Sequence, residues 1–298
     1  MKTRNKALLA CLTGYTIFGF SFMFSKIALN VVTPFVLLAA RFLSAFVVMN
    51  LLLLTGKVKL SFRGKPVLLL LLMGIIQPVF GFAFEAYGVA MTTAAFSGVM
   101  IGLAPVVGLV LGAVFLKEKV TLFQVICTLL SVVGVVLTSS GNLGGNSLGG
   151  FLMLMGAVVS SSLFTIISRS TSSYFSAFER TYVMFALGGV IFSAIALFQN
   201  RSDLPGLMRA LTAPELWIAV GYLAVASSVC AFMLINYALN YESAGRLLIF
   251  SNFTTVISVL AGIFLMGDSF SLTQLLGIVI ITLSVFGVSY QKPGAAEA

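Results

Sequence analysis

Three ionisable side chains, Lys26, Arg41 and Glu85, lie inside long apolar stretches of the sequence. A charge in such a stretch is costly and usually functional. Two cations and one carboxylate could hold an ionic solute, exchange a proton, or form an ion pair that closes an access route. A permanent structural pair, or snorkelling of Lys26 to a membrane surface, is the alternative. The three residues are therefore candidates for a gate or a coupling site.

Polar, aromatic and proline residues near the centres of the apolar stretches form a second group. Polar groups in hydrocarbon must find partners, so they face other helices or a cavity, and a proline frees a backbone carbonyl there. Interhelical hydrogen bonds are the alternative for the serines, and lipid contact is the alternative for the phenylalanines. The substrate-binding candidates are Phe18, Phe22, Gln77, Phe84, Pro105, Ser161, Ser228 and Asn252.

The composition places these residues in a membrane. Of the 298 residues, 60% are hydrophobic and 8% are charged, against about 45–50% and about 25% in soluble domains. The chain has no histidine, which excludes Ser/His and Cys/His catalysis and histidine-bound metals. It also lacks the G-x-x-x-x-G-K-[ST] phosphate loop. The sequence therefore predicts an all-α polytopic membrane protein that is not an enzyme and needs no metal or other cofactor.

Ten segments are long enough to cross a bilayer, which takes about 20 apolar residues in a helix. Barrel strands are about half that length and alternate in polarity, so helices are predicted. Spans 1 to 10 are residues 7–30, 34–55, 66–88, 92–116, 121–139, 148–170, 177–199, 213–239, 244–266 and 272–290.

The basic residues orient these spans. With ten crossings, thirteen Lys and Arg residues fall on the side of the N-terminus and two, Arg201 and Arg209, on the other. Cytoplasmic loops carry such an excess of basic residues, so both termini are expected in the cytoplasm. The formal net charge of +9 then reflects membrane orientation, and no nucleic-acid partner is expected. The bacterial cytoplasmic (inner) membrane is the expected location.

The chain divides into two five-helix halves. Residues 1–140 and 151–298 flank a glycine-rich linker, residues 141–150, that is expected on the outer side. Gln124 and Gln274 lie 150 residues apart and follow the same order of apolar run, acid, hydroxyl and glutamine. An odd number of helices in each half places the halves in opposite orientations. This is the inverted-repeat architecture of secondary transporters.

Several motifs resemble the drug/metabolite transporter superfamily, in its ten-helix EamA-type branch. Residues 18–26, Phe-Gly-Phe-Ser-Phe-Met-Phe-Ser-Lys, are followed by Pro34 and by Ala-Arg-Phe at 40–42, similar to the family's first two spans. Residues 115–124 resemble its Phe-Leu-Gly-Glu…Thr…Gln signature, with lysine in place of the glycine. Residues 265–277 repeat that pattern with aspartate as the acid.

The resemblance implies a function. Members mostly move amino acids and other small metabolites, and their central cavity is built from spans 1, 3, 4, 6, 8 and 9. We therefore expect a secondary active or facilitative transporter of small polar metabolites, an amino-acid or related exporter that works by alternating access. A lipid or polyprenyl-carrier flippase and a cationic drug exporter are the alternatives. The expected partners are a small-molecule substrate and the bilayer, proton coupling is left open, and the chain is expected to be a monomer or a weak dimer.

The most specific expectation concerns the contacts of Glu85. A lone carboxylate at that depth tends to protonate, whereas a nearby cation keeps it ionised. We expect Glu85 to approach Lys26 or Arg41 in at least one access state and to help to close the outer gate.

Overall fold

The structure is a computed structural model that describes residues 2–92, 97, 100–117, 120–139, 148–266 and 271–290. Most of those residues are helical, and no β-strand occurs among them. The helices are Lys2–Leu29, Pro34–Leu54, Val67–Gly74, Phe82–Met91, Ala104–Phe115, Leu122–Ser139, Leu148–Thr171, Ala177–Gln199, Leu204–Ala210, Pro214–Gly221, Phe232–Ala238, Ala244–Ile249, Asn252–Met266 and Leu272–Tyr290, with π-helical segments at Ile75–Gly81 and Tyr222–Ala231.

Each predicted span corresponds to one or more of these helices, and the all-α polytopic membrane fold is confirmed. Among the described residues, six helices are long and apolar enough to cross a membrane, and three shorter apolar helices lie in spans 4, 5 and 10. Among the described residues outside the ten spans, the structure adds one short helix, Leu204–Ala210, which begins where the Asp203 carboxylate accepts from the Gly206 backbone N–H at 2.9 Å. Most of the predicted linker lies outside the described residues.

Packing between the spans follows the predicted repeat. Span 2 packs against span 7, and span 5 against span 10. Span 1 packs against spans 8 and 9, as span 6 packs against spans 3 and 4. Exchanging each span with its counterpart five spans away therefore reproduces the same neighbours. We call the end of the bundle where span 1 begins the N-terminal face; spans 3, 5, 7 and 9 begin there as well.

In the described part of the chain, four spans have irregular backbone at related places. The π-helical segments lie in spans 3 and 8, which are counterparts in the repeat. Pro78 lies inside the first segment, and proline removes a backbone donor. Spans 4 and 9 are also counterparts, and each contains a turn, at residues 102–103 and 250–251. Irregular backbone at membrane depth is tolerated where it is enclosed by protein or lines a cavity.

Close packing of span 1 against span 9 depends on Gly19. A Cβ atom built at Gly19 would lie 2.4 Å from the Ile257 Cβ and 3.0 Å from the Thr254 carbonyl oxygen. Small residues let membrane helices approach in this way, since apolar attraction between helices is weak in lipid.

We expect Gly19→Ala to destabilise the bundle by about 1–3 kcal/mol, because the added methyl group overpacks a rigid contact. The midpoint of thermal unfolding in detergent should fall. Gly221→Ala is the matched control, since a Cβ there meets nothing within 4 Å. Equal unfolding temperatures for the two variants would contradict the packing argument.

Candidate functional site

A central cavity of about 100 Å³ lies among the interrupted spans. A water molecule needs about 10–15 Å³ by this measure, so the cavity accommodates several atoms of a small solute. Its wall is formed by spans 1, 3, 4, 6, 8 and 9, together with Arg41 of span 2. The aromatic lining residues are Tyr15, Phe18, Phe22, Phe82, Phe164 and Phe232, and the polar ones are Ser21, Arg41, Gln77, Glu85, Ser161, Thr165, Ser251 and Thr254.

Arg41 is buried at the cavity wall, with 2% of its surface exposed. Its Nε donates to the Ser228 hydroxyl and its Nη2 to the Ser227 hydroxyl, both at 2.9 Å. The guanidinium carbon lies 4.6 Å from the centre of the Phe82 ring, a cation–π contact. Among the described residues, the hydrogen-bond partners of this cation are therefore two neutral hydroxyls.

The two serines connect the two halves of the chain. They belong to the π-helical segment of span 8, whereas Arg41 belongs to span 2. The Ser21 hydroxyl of span 1 donates to the Ser227 hydroxyl at 2.7 Å. A single hydrogen-bonded chain thus joins spans 1, 2 and 8 beside the cavity.

Glu85 faces Arg41 across this region. Both residues line the central cavity and also a second, smaller cavity of about 10 Å³, which is close to the space that one water molecule needs. Within the described part of the chain, Glu85 forms no ion pair with Arg41 or Lys26. The expected Glu85 contact therefore stays a prediction for another access state.

Lys26 is the gate candidate that the structure places apart. Its ammonium donates to the Val89 carbonyl oxygen at 3.4 Å, and its side chain is not part of the cavity wall. The contact joins the ends of spans 1 and 3, beyond the cavity. Of the three charged candidates, the structure brings Arg41 and Glu85 together and leaves Lys26 outside.

Four of the substrate-binding candidates line the cavity: Phe18, Phe22, Gln77 and Ser161. Gln77 is 7% exposed, and its Oε1 has no hydrogen-bond partner among the described residues. That oxygen packs over Gly81, where a Cβ would lie 2.7 Å from it. The glycine therefore makes room for the glutamine side chain.

The other four candidates do not line it. The Phe84 ring packs on Gly156, 2.8 Å from a Cβ built there, and Pro105 lies buried one residue past the lining Ala104. Ser228 holds Arg41 and has no exposed surface of its own. Asn252 donates through its Nδ2 to the Ser131 hydroxyl at 2.7 Å, which joins spans 9 and 5.

The central aromatic pair is not among the substrate-binding candidates predicted from the sequence. Phe82 and Phe232 both line the cavity, and their ring centres are 5.9 Å apart. They lie 150 residues apart in the sequence, the same offset that relates Gln124 to Gln274. Applying that offset to spans 3 and 8 could have identified the pair.

A family model describes this architecture. The EamA-like transporter family matches residues 5–140 and again residues 148–290, so each half of the chain carries one copy. The chain belongs to the EamA-like transporter family. This membership confirms the resemblance that the motifs indicated.

Relatives of this EamA-like protein agree with the assignment. The chain is 32% identical to the uncharacterized transporter YcxC of Bacillus subtilis (strain 168), over 95% of this chain and 93% of the relative. It is 24% identical to an uncharacterized transporter of Archaeoglobus fulgidus, over 91% and 94% of the two chains. A solved crystal structure superposes with a TM-score of 0.77 at 19% identity, over 95% of this chain and 98% of the other. The protein is therefore a transporter of this fold.

At the N-terminal face of this EamA-like transporter, Arg180 is completely buried. Its nitrogens donate to the Ser168 hydroxyl and carbonyl at 2.7 Å, to the Asn236 carbonyl at 2.6 Å, to the Ser176 carbonyl at 3.5 Å and to the Asn240 side chain. Spans 6, 7 and 8 are tied together at this point. The sequence had assigned Arg180 only to membrane orientation, because a basic residue at the start of a span gives no sign of burial.

Ion pairs close the same face. Glu242 accepts from Arg4 at 2.8 Å and from Arg246 at 3.3 Å. Glu179 accepts from Lys65 at 3.2 Å and also closes a capping box with Ser176 at the start of span 7. Both carboxylates are buried. The loops and helix ends of this face are therefore held by charge as well as by packing.

We expect Arg180→Lys to destabilise the protein, because three ammonium donors cannot replace five guanidinium N–H groups and buried acceptors lose their partners. The loss should be about 1–3 kcal/mol, seen as a lower unfolding midpoint in detergent. Arg209→Lys, at an exposed position, is the control and should behave like wild type. An unchanged midpoint for Arg180→Lys would show that the buried network contributes little.

Proposed function

We propose that this protein is a secondary carrier of small metabolites with both a carboxylate and an ammonium group, an amino-acid or related exporter. The observation that carries the proposal is the pair of opposite charges, Arg41 and Glu85, that line one cavity without forming an ion pair with each other. A solute with both charges would compensate each of them on binding.

The cavity wall suits such a solute. The Arg41 guanidinium matches a carboxylate in shape and charge. Glu85 supplies a negative charge for an ammonium group. The surrounding rings, with Phe82 and Phe232 at the centre, offer an apolar surface to a side chain. A few directed polar groups in an aromatic wall are typical of small-molecule sites.

The transport cycle follows from the two ends of the bundle. A site at the repeat interface is reached in turn from each side by rocking of the repeats. Access from the N-terminal face would require the Arg4–Glu242 ion pair, which joins span 1 to the start of span 9, to separate. The substrate gradient or proton exchange would drive the cycle, since the sequence contains no phosphate loop for ATP. Glu85 is the cavity carboxylate available for proton exchange.

We expect Glu85→Gln to reduce transport at least about tenfold, because one buried charge–charge contact with the substrate is worth on the order of 1.5–3 kcal/mol. The measurement is uptake of a radiolabelled amino-acid mixture into proteoliposomes. Glu215→Gln, at an exposed position, should transport like wild type. Wild-type rates in Glu85→Gln would remove this residue from the mechanism.

The same assay separates the alternative functions. A cationic drug exporter would carry an aromatic amine that lacks a carboxylate, a reaction that the Arg41 charge opposes. A flippase would move a fluorescent lipid between leaflets and leave amino acids untouched. Uptake of the amine or flipping of the lipid, without amino-acid transport, would replace the proposed function.

We also propose that both termini face the cytoplasm of the bacterial inner membrane, on the basis of the excess of basic residues at the N-terminal face. In a variant with Cys11, Cys127 and Cys230 replaced by alanine, Ser61→Cys should react only with a membrane-permeant maleimide. Ser202→Cys should react with an impermeant maleimide added to whole cells. Both positions are exposed. The reverse pattern would invert the topology.

A further inference from the structure

We infer that Ser227 and Ser228 are positioning residues that orient the Arg41 guanidinium so that its remaining edge receives the carboxylate of the substrate. The inference deepens the proposed function and rests on it, because it assigns the anionic half of the binding site. It also states a property of Arg41 that can be measured without knowledge of the substrate.

A count of donors identifies the available edge. A guanidinium has five N–H groups in a planar fork. The serines accept from Nε and from one N–H of Nη2, along one edge. The two N–H groups of Nη1 and the second of Nη2 have no acceptor among the described residues. Nη1 and Nη2 together form an end-on edge, and paired N–H groups of this kind bind a carboxylate in a bidentate manner.

The surroundings fix the plane of this group. The Phe82 ring lies against one face, with its centre 4.6 Å from the guanidinium carbon, and the Phe42 ring centre lies at 5.6 Å. Two hydrogen bonds along one edge and rings against the plane leave little freedom of rotation. The fork is therefore held in place before a ligand arrives, which reduces the ordering cost of binding.

The neutral character of the two hydroxyls is the important chemical feature. They orient the cation without cancelling its charge, so the charge remains available to an anion. Arg180 is the contrasting case within the same molecule. Its nitrogens donate to five acceptors of the protein, so it has no edge left for a ligand. The donors of Arg180 are used by the protein, whereas Arg41 has donors available at the cavity wall.

The two serines lie in the π-helical segment of span 8, and such segments are frequent at functional sites. Ser21 then fixes the Ser227 hydroxyl through its own hydrogen bond at 2.7 Å.

The test measures the reactivity of Arg41 toward phenylglyoxal in the purified full-length protein, with mass spectrometry of the peptide that contains it. Arg180 in the same sample is the internal reference. Ser227→Ala, Ser228→Ala and the double variant are compared with Ser284→Ala, a buried serine whose hydroxyl bonds within its own helix at 2.8 Å. The unfolding midpoint of each variant is measured to confirm folding.

We expect the double variant to raise the labelling rate of Arg41 several-fold, each single variant to raise it less, and Ser284→Ala to leave it unchanged. Ser228→Thr keeps the hydroxyl, so its labelling rate at Arg41 should be closer to that of wild type than the rate of Ser228→Ala. An unchanged rate at Arg41 in the folded single and double variants would overturn the positioning role.

A second arm tests the available edge. Millimolar phenylacetate should protect wild-type Arg41 from phenylglyoxal, whereas phenylacetamide, which has the same shape without the charge, should not. Protection should weaken in the double serine variant. Equal protection by both compounds, or protection by neither, would overturn carboxylate binding at this edge. If both arms give the expected result but no amino acid is transported, the proposed function fails and the positioning role stands.

Discussion

The absence of water in the hydrocarbon core is the constraint on which this structure depends. Each backbone N–H and C=O group there must find a partner within the protein, and a regular helix provides one for almost every residue. Departures from the regular helix therefore indicate places where the backbone is enclosed by protein or lines a cavity. In the described residues, spans 3 and 8 have π-helical segments, and spans 4 and 9 have turns near their centres. All four spans line the same cavity, where irregular backbone is protected from lipid.

The same constraint applies to charge, and two buried arginines, Arg41 and Arg180, meet it in different ways. Arg180 is surrounded by protein oxygens at the N-terminal face and ties three spans together. Arg41 has two serine hydroxyls and an aromatic face, a combination that leaves a buried cation short of negative charge. Burial of a charge is tolerated when the charge is paired. Glu85 is the carboxylate that lines the same cavity. A ligand with one positive and one negative charge would pair with both Arg41 and Glu85.

Much of the fold could be predicted from the sequence, because long apolar stretches and basic loops are read directly from residue types. The residues that line the cavity were harder to predict, for one physical reason that four of the candidates share. Phe84 follows the π-helical segment that ends at Gly81, and Pro105 and Asn252 follow the turns of spans 4 and 9. Ser228 lies inside the other π-helical segment. An inserted residue or a turn shifts the helical phase, so the face that each later residue presents cannot be obtained from spacing alone. The lining residues are instead their neighbours, such as Phe82, Ala104 and Ser251.

The position of the ion pairs connects the cavity to the transport cycle. Arg4 lies in the first turn of the helix that continues as span 1, and Arg246 lies at the start of span 9; both contact Glu242. Spans 1 and 9 also supply cavity residues such as Phe18 and Thr254, so the Arg4–Glu242 ion pair ties together two helices that line the cavity. Opening this face would expose the pairs to water, where an ion pair is worth only about 0–1 kcal/mol. The separated groups regain hydration at the same time, so the two states can stay close in energy. A carrier that opens to each side in turn needs two states of similar free energy.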